Sequence, residues 1–116
     1  MLRVGIGYDV HAFATPDADR ALVIGGVSIA HESGLAGHSD ADVLLHAVVD
    51  ALLGAAGLGD IGQFFPSSDP RWKDAPSTVF VGRTREVLAE SGWHVVNVDA
   101  TDRTTYAAAA GAEAAA

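Results

Sequence analysis

Residues 2 to 11 alternate between two kinds of side chain, and this alternation strongly constrains how the chain can fold. Successive side chains of a strand point to opposite faces, so a two-residue period predicts a β-strand. One face carries the apolar side chains Leu2, Val4, Ile6, Tyr8 and Val10. The other carries Arg3, Gly5, Gly7, Asp9 and His11. The segment is therefore predicted as a strand that ends in a polar Asp-x-His pair, on a face that the glycines keep open.

A second apolar segment, residues 22 to 29, is interrupted by Gly25 and Gly26. We predict that it forms a strand that pairs antiparallel with the first one. Residues 93 to 101 have a similar composition and predict a further strand.

Two other segments have the composition of helices. Residues 40 to 55 are rich in Ala, Leu and Val, with Ser39 as a suitable N-cap and Asp42 at the third helical position. Ser77 can cap a second helix that reaches Ser91 and ends before a glycine. Residues 57 to 76 contain several Gly and Pro residues, which predicts a long loop of the kind that often carries function.

The composition excludes several classes of function. A net charge of −8 with only 7 Lys and Arg disfavours a nucleic-acid partner. No run approaches the roughly 20 apolar residues of a membrane helix, so we expect no membrane partner. The first residues lack the pattern of a secretory signal, which favours a cytoplasmic protein. Because cysteine is absent, a metal site must be built from His and carboxylate side chains.

Three residues are candidate metal ligands. Asp9 and His11 leave the same face of the predicted strand, about 6 to 7 Å apart. His46 shares a helical face with Asp42 and Asp50, and a flanking carboxylate can fix the tautomer of a ligating histidine. Two histidines and one carboxylate leave zinc an open position, although manganese, cobalt and iron accept the same ligands. Ordinary polar residues at a strand end and on a solvated helix face are the alternative interpretation.

Two further groups are candidates for binding a ligand. His38 and Ser39 stand at the predicted start of a helix, where unpaired N–H groups and the helix dipole favour an anion such as phosphate. Residues 60 to 62 offer a carboxylate and exposed backbone, and residues 65 to 70 form a rigid polar turn. Helix capping and turn chemistry alone also explain these residues. His31 and His94 belong to no group and receive no role.

Several short motifs follow one another in order over residues 2 to 101, and together they resemble the 2-C-methyl-D-erythritol 2,4-cyclodiphosphate synthase family. They are Gly7 to Phe13, Ile24 to Val27, Gly37 to Asp42, Leu45 to Ala47, Asp50 to Ala56, Gly59 to Gly62, Phe65-Pro66 and Asn97 to Thr101. Their shared order and spacing carry the resemblance, which no single motif would.

The resemblance implies a fold and a reaction. The fold is α/β (α+β): one domain, residues 1 to 101, with a mixed sheet covered by helices on one face, assembled as a homotrimer with active sites between subunits. The activity is that of a phosphorus–oxygen lyase of the methylerythritol phosphate pathway of isoprene biosynthesis. The implied substrate is 4-diphosphocytidyl-2-C-methyl-D-erythritol 2-phosphate, whose 2-phosphate attacks the phosphorus remote from cytidine. The products are 2-C-methyl-D-erythritol 2,4-cyclodiphosphate and CMP.

The resemblance also implies roles for individual residues. Asp9, His11 and His46 match the metal ligands of the family, and His38 matches a residue that stabilises the transition state. The implied substrate contacts are Asp9, Val10, His11, His38, Ser39, Asp60, Ile61, Gly62, Phe65, Pro66, Ser67, Ser68 and Asp69, with His38 and Ser39 at a phosphate and Asp60 and Gly62 at the ribose. A second ion, Mg²⁺ or Mn²⁺, is also implied.

The resemblance stops after Thr101. The family continues into a cytidine pocket and a Thr-Thr-Glu motif that contacts the diphosphate and the second ion. Here residues 102 to 116 form a divergent, alanine-rich tail, and Thr104-Thr105 is followed by Tyr106, so the protein ligand of the second ion is missing. A frameshift or truncated gene, a tail entered as alanine, and a natural short variant are three explanations. An inactive truncated homologue that keeps metal binding, and a metal-dependent phosphohydrolase, are the alternative functions.

Overall fold

A computed structural model of the protein describes residues 1 to 103. The elements are a 3-10 turn (Pro16–Ala18), strands β1 (Leu22–Ile24) and β2 (Val27–Ile29), helices α1 (Val43–Ala55) and α2 (Ile61–Phe64), a second 3-10 turn (Pro70–Trp72) and helix α3 (Thr78–Glu90). This part of the chain is α+β, with a two-stranded antiparallel sheet and three helices. None of the helices in it is long and apolar enough to cross a bilayer. Most of the predicted divergent tail, including the Thr104-Thr105 pair, lies outside the described residues.

The segment from residue 22 to residue 29 is a β-hairpin. Leu22 pairs with Ile29, and Ile24 pairs with Val27. Gly25 and Gly26 have φ angles of +61° and +79°, which glycine adopts freely and which a two-residue hairpin turn requires. The prediction of a single interrupted strand is therefore wrong, because the two glycines reverse the chain.

The two other predicted strands, residues 2 to 11 and 93 to 101, form no backbone ladder within residues 1 to 103. Strand β1, the expected partner of residues 2 to 11, pairs with β2 instead. Just after the first segment, Phe13 forms an isolated antiparallel bridge with Leu35. The described part of the sheet is consequently a hairpin, whereas the resemblance implies a larger mixed sheet.

Gly5 and Gly7 lie directly against the backbone of α1. A Cβ atom added to Gly7 would stand 1.8 Å from the carbonyl oxygen of Ala47, and one added to Gly5 would stand 2.0 Å from that of Ala51. The glycine face is thus packed, which corrects the expectation of an open face. The apolar face points away from the helix, and the Ile6 side chain on it is 91% exposed.

The structure confirms the two predicted long helices and moves the start of the first. Helix α1 begins at Val43, and its N-cap is Asp42, whose carboxylate accepts the N–H of Leu45 at 3.0 Å. Ser39 is not the cap, and Asp42 is not inside the helix. Helix α3 has the predicted extent. The predicted loop over residues 57 to 76 contains α2 and a 3-10 turn.

The main core lies between α1 and α3. Val49 and Leu53 of α1 are wholly buried against Phe65 and Phe80. The rings of Phe65 and Phe80 are stacked with centroids 4.6 Å apart, and that of Trp72 meets Phe80 edge-on at 5.5 Å. Burial of each such side chain contributes about 1.5 to 3 kcal/mol. This cluster fixes the position of α1, the helix that carries His46.

We expect Gly7→Ala to destabilise the protein by about 1 to 3 kcal/mol, because its methyl group would collide with the backbone of α1. Gly82→Ala is the matched control, since a Cβ at this helical position meets nothing within 4 Å. The control should stabilise the protein by roughly 0.5 to 1 kcal/mol. Urea denaturation measures both changes, and a Gly7→Ala variant as stable as the unmodified protein would contradict the close contact.

Candidate functional site

Asp9, His11 and His46 lie together, as the sequence predicts. Asp9 Oδ2 is 2.8 Å from His11 Nε2 and 3.2 Å from His46 Nδ1. The two ring nitrogens are 3.2 Å apart. The segment that carries Asp9 and His11 follows the glycine contact with α1, and His46 lies in the first turn of that helix. The packing of one extended segment on one helix therefore assembles all three side chains.

The charges of the cluster favour a cation. Burial raises the pKa of Asp9, but the nearby His11 and His46 lower it more, so this pKa lies well below its ordinary value. The contact with Asp9 raises the pKa of His11 above its usual value, although burial opposes the shift. Asp9 Oδ2 is shielded from water, yet no donor among residues 1 to 103 is aligned on it for a hydrogen bond. An oxygen that is close to two ring nitrogens but poorly aligned with both suits a shared ion.

The spacing of the three ligand atoms also fits a metal ion. Tetrahedral zinc with ligands at about 2.0 to 2.1 Å has them about 3.3 Å from one another. The distances from His46 Nδ1 to Asp9 Oδ2 and to His11 Nε2 are both 3.2 Å, and that between Asp9 Oδ2 and His11 Nε2 is shorter, 2.8 Å. His11 Nδ1 donates to the carbonyl of Ala36 at 2.8 Å, so the lone pair of the neutral ring is on Nε2, the atom that faces Asp9. The cluster can thus hold a metal ion.

The carboxylates expected to flank His46 have other partners. Asp42 accepts the N–H groups of Gly25 at 2.9 Å and Gly26 at 2.6 Å. Asp50 accepts the N–H of Ile61 at 2.8 Å. The interpretation of Asp42 and Asp50 as carboxylates that orient His46 is therefore wrong, because the hairpin turn and the start of α2 bind them.

His38 and Ser39 do not stand at a helix N-terminus, which corrects a second expectation. Helix α1 begins at Val43, and its N-cap is the carboxylate of Asp42, so the dipole argument for phosphate binding does not apply to them. His38 Nε2 instead donates to the carbonyl of Asp69 at 2.9 Å. The hydroxyl of Ser39 accepts the N–H of Ala41 at 3.2 Å.

A cavity of about 200 Å³ opens beside the cation cluster. It is lined by His11, His38, Ser39, His46, Ile61, Gly62, Phe65, Ser67, Trp72 and Phe80. The cavity is thus lined both by members of the cation cluster and by several predicted substrate contacts. Trp72 and Phe80 also line the cavity. The sequence did not predict them as site residues, because neither belongs to a polar motif.

The remaining predicted contacts do not line this cavity. The Asp60 carboxylate caps α2 by accepting the N–H of Gln63 at 2.9 Å. Asp69 caps the second 3-10 turn and forms an ion pair with Arg71 at 2.7 Å. The Val10 side chain is 67% exposed. The carbonyl of Pro66 accepts the N–H of Asp69, and Ser68 is exposed. Turn and cap hydrogen bonds thus explain the positions of Asp60, Pro66 and Asp69 without a ligand.

Comparisons with known proteins agree on one family. The sequence profile of the YgbB family matches residues 2–105. A 2-C-methyl-D-erythritol 2,4-cyclodiphosphate synthase of Bordetella avium (strain 197N) is 62% identical over 99 residues, which are 85% of this chain and 59% of that relative. A solved 2C-methyl-D-erythritol-2,4-cyclodiphosphate synthase superimposes with a TM-score of 0.69 at 42% identity, covering 78% of this chain and 58% of the other. A CDP-bound form gives 0.68 at 41% identity, with the same coverage of both chains.

The fold and the cluster place the chain among α+β proteins that can hold a metal ion beside a small cavity. The profile match is more specific and covers most of the sequence, and the chain belongs to the YgbB family. It spans about three fifths of the length of the curated relatives that it matches, 59% in the case of the Bordetella protein.

We expect Asp9→Asn to weaken zinc binding by more than about 100-fold. Loss of a residue that only hydrogen-bonds to a metal ligand already costs roughly 10- to 100-fold, and Asp9 is a candidate ligand itself. The substitution removes the negative charge that lies 2.8 Å from one ring nitrogen and 3.2 Å from the other. Isothermal titration with zinc measures the affinity. Asp99→Asn, an exposed position outside the cluster, should leave it unchanged. Equal affinity in the Asp9 and Asp99 variants would show that the cluster is not the binding site.

Proposed function

We propose that this protein carries out the metal-dependent cyclisation of 4-diphosphocytidyl-2-C-methyl-D-erythritol 2-phosphate to 2-C-methyl-D-erythritol 2,4-cyclodiphosphate, with release of CMP. It would act as a lyase of the methylerythritol phosphate pathway in the cytoplasm. The observation that carries the proposal is the opening of the Asp9, His11 and His46 cluster onto a cavity lined by His38 and Ser39. The names of relatives such as the Bordetella synthase support it.

The reaction requires positioning more than proton transfer. An oxygen of the 2-phosphate forms a bond to the phosphorus remote from cytidine, and the bond from that phosphorus to the oxygen of CMP breaks. CMP leaves with the electron pair. The attacking phosphate is already an anion, so the protein has to hold the reacting atoms in line and stabilise the charge on the diphosphate.

A cation at this site would offset the repulsion between the negatively charged protein and the diphosphate. The chain has a net charge of −8, which repels a diphosphate unless a local positive centre is present. A divalent ion, zinc in this proposal, would supply Lewis-acid stabilisation when held by Asp9, His11 and His46. The second ion that the resemblance implies, Mg²⁺ or Mn²⁺, has no matching protein ligand in residues 102 to 116.

His38 and Ser39, which line the same cavity, would bind the phosphate oxygens. The contact of His38 Nε2 with the carbonyl of Asp69 fixes the orientation of the ring. In its imidazolium form, Nδ1–H can donate to a phosphate oxygen while Nε2–H stays on that carbonyl. The aromatic side chains of Phe65, Trp72 and Phe80 line the same cavity. Their low polarity would strengthen these polar contacts.

The cytidine part of the substrate is assigned to one residue of the cavity lining and to residues outside that lining. The CDP-bound structure of a relative supports recognition of a cytidine nucleotide. We propose that Asp60 and Gly62 contact the ribose, and that Val10, Ile61 and the loop from residue 65 to residue 69 contact the remainder of the substrate.

The apolar face of residues 2 to 10 offers an exposed surface for the homotrimer that the resemblance implies. Val4 and Ile6 are 87% and 91% exposed, and Tyr8 is 82% exposed. A contiguous exposed apolar face is a surface that proteins normally cover. We propose that neighbouring chains cover it and that residues 2 to 11 then belong to the mixed sheet implied by the resemblance. Substrate sites would lie between the subunits.

A homologue that binds metal without turnover is the second candidate. It is favoured by one observation: the three metal-ligand atoms lie within 4.8 Å of one another, whereas the predicted substrate contacts Asp60 and Asp69 do not line the cavity. Metal-bound protein without CMP release would establish this candidate and exclude the first.

We expect the metal-loaded protein to release CMP from the cytidylyl substrate, and His38→Ala to reduce kcat by roughly 10²- to 10³-fold, the typical cost of losing a group that stabilises transition-state charge. Chromatographic detection of CMP measures both rates. His94→Ala is the control, because His94 is an exposed histidine outside the cavity lining. An equal loss in the two variants would contradict the role of His38.

A further inference from the structure

Asp40, Ser77 and His46 form a chain of hydrogen bonds on the side of the imidazole that faces away from Asp9. His46 Nε2 lies 2.9 Å from the hydroxyl oxygen of Ser77. That hydroxyl donates to Asp40 Oδ1 at 2.5 Å, and the backbone N–H of Ser77 donates to Asp40 Oδ2 at 3.0 Å. Ser77 is wholly buried and His46 is 9% exposed, so the contact between them is shielded from water, whereas Asp40 is half-buried.

The direction of these bonds determines the tautomer of His46. An ionised carboxylate only accepts, so the single hydroxyl proton of Ser77 is directed to Asp40. The oxygen of Ser77 must then accept from His46, which requires a proton on Nε2. The neutral ring therefore has its lone pair on Nδ1, the atom that lies 3.2 Å from Asp9 Oδ2.

The position of Ser77 in the fold supports this role. It is the N-cap residue of α3, yet its side chain makes no capping hydrogen bond to the helix. A serine at this position usually caps, and that bond is worth about 1 kcal/mol. Here the hydroxyl is directed to His46 and Asp40 instead. A second hydroxyl, that of Ser39, is 3.3 Å from the same Nε2 atom and is the weaker partner by distance.

We propose that Asp40 and Ser77 are positioning residues for the cation site, which hold His46 in the tautomer and orientation that present Nδ1 to the ion. Neither touches Asp9 or His11 in the hydrogen bonds above. The inference rests on the proposed metal function of the Asp9, His11 and His46 cluster. Relays of this kind raise the basicity of a ligating histidine, and their loss costs 10- to 100-fold in metal affinity.

The first test measures zinc affinity by competition with a fluorescent chelator. Ser77→Ala should weaken binding by roughly 10- to 100-fold. Ser77→Thr keeps the hydroxyl and should restore most of the affinity. Thr84→Val is the matched control, because Thr84 is a buried residue of the same helix whose hydroxyl makes no hydrogen bond within the described chain. Unchanged affinity in a folded Ser77→Ala variant would overturn the proposal.

The second test reads the tautomer directly in the metal-free protein. Long-range ¹H–¹⁵N spectra of the histidine rings, recorded near pH 8 where an ordinary imidazole is neutral, distinguish the two neutral forms. We expect His46 to carry its proton on Nε2, and Ser77→Ala to populate both forms. A proton on Nδ1 in the unmodified protein would refute the inference whether or not the variants fold.

His46→Ala separates this inference from the proposal beneath it. If His46→Ala leaves zinc affinity unchanged, the cluster itself is not the metal site. If His46→Ala abolishes binding while Ser77→Ala has no effect, the metal site stands and only the positioning role fails.

Discussion

The buried carboxylate of Asp42 joins the β-hairpin to the helix that carries His46. Its oxygens accept the N–H groups of Gly25, Gly26 and Leu45 at 2.9, 2.6 and 3.0 Å, and the residue is wholly buried. Burial of a carboxylate without hydrogen-bond partners costs several kcal/mol of folding free energy. This cost favours the arrangement in which the hairpin turn and the start of α1 both donate to Asp42. Because Leu45 directly precedes His46, the bond that begins α1 also places the imidazole.

The same helix positions the other two ligands. The backbone of residues 5 and 7 approaches the carbonyl groups of Ala51 and Ala47 more closely than any residue with a Cβ could. Two residues after this contact, the segment delivers Asp9 to the side of His46, and His11 follows on the same face. Helix α1 therefore positions all three candidate ligands, although Asp9 and His46 are 37 residues apart in the sequence.

Local patterns predicted those parts of the site that one element determines. The two-residue period placed Asp9 and His11 on one face, and the apolar composition of residues 40 to 55 placed His46 on a helix. They did not predict which of two good caps begins α1, because Ser39 and Asp42 have similar local preferences and bonds to a distant hairpin decide between them. The Ser77 partner of His46 is 31 residues away, and no short-range pattern reports such a contact.

Strands are harder to read because a strand is defined by its partner as well as by its own period. The structure keeps the two faces that the alternation of residues 2 to 11 predicts. The glycine face packs on α1. The apolar face points outward, and Ile6 on it is 91% exposed. A layer covered by helices on one side leaves its other side to a second layer or a second chain. Asp9, His11 and His46 all come from one chain and meet on the helix side. The arrangement of the three candidate metal ligands and the covering of the apolar face are therefore separate features of this fold.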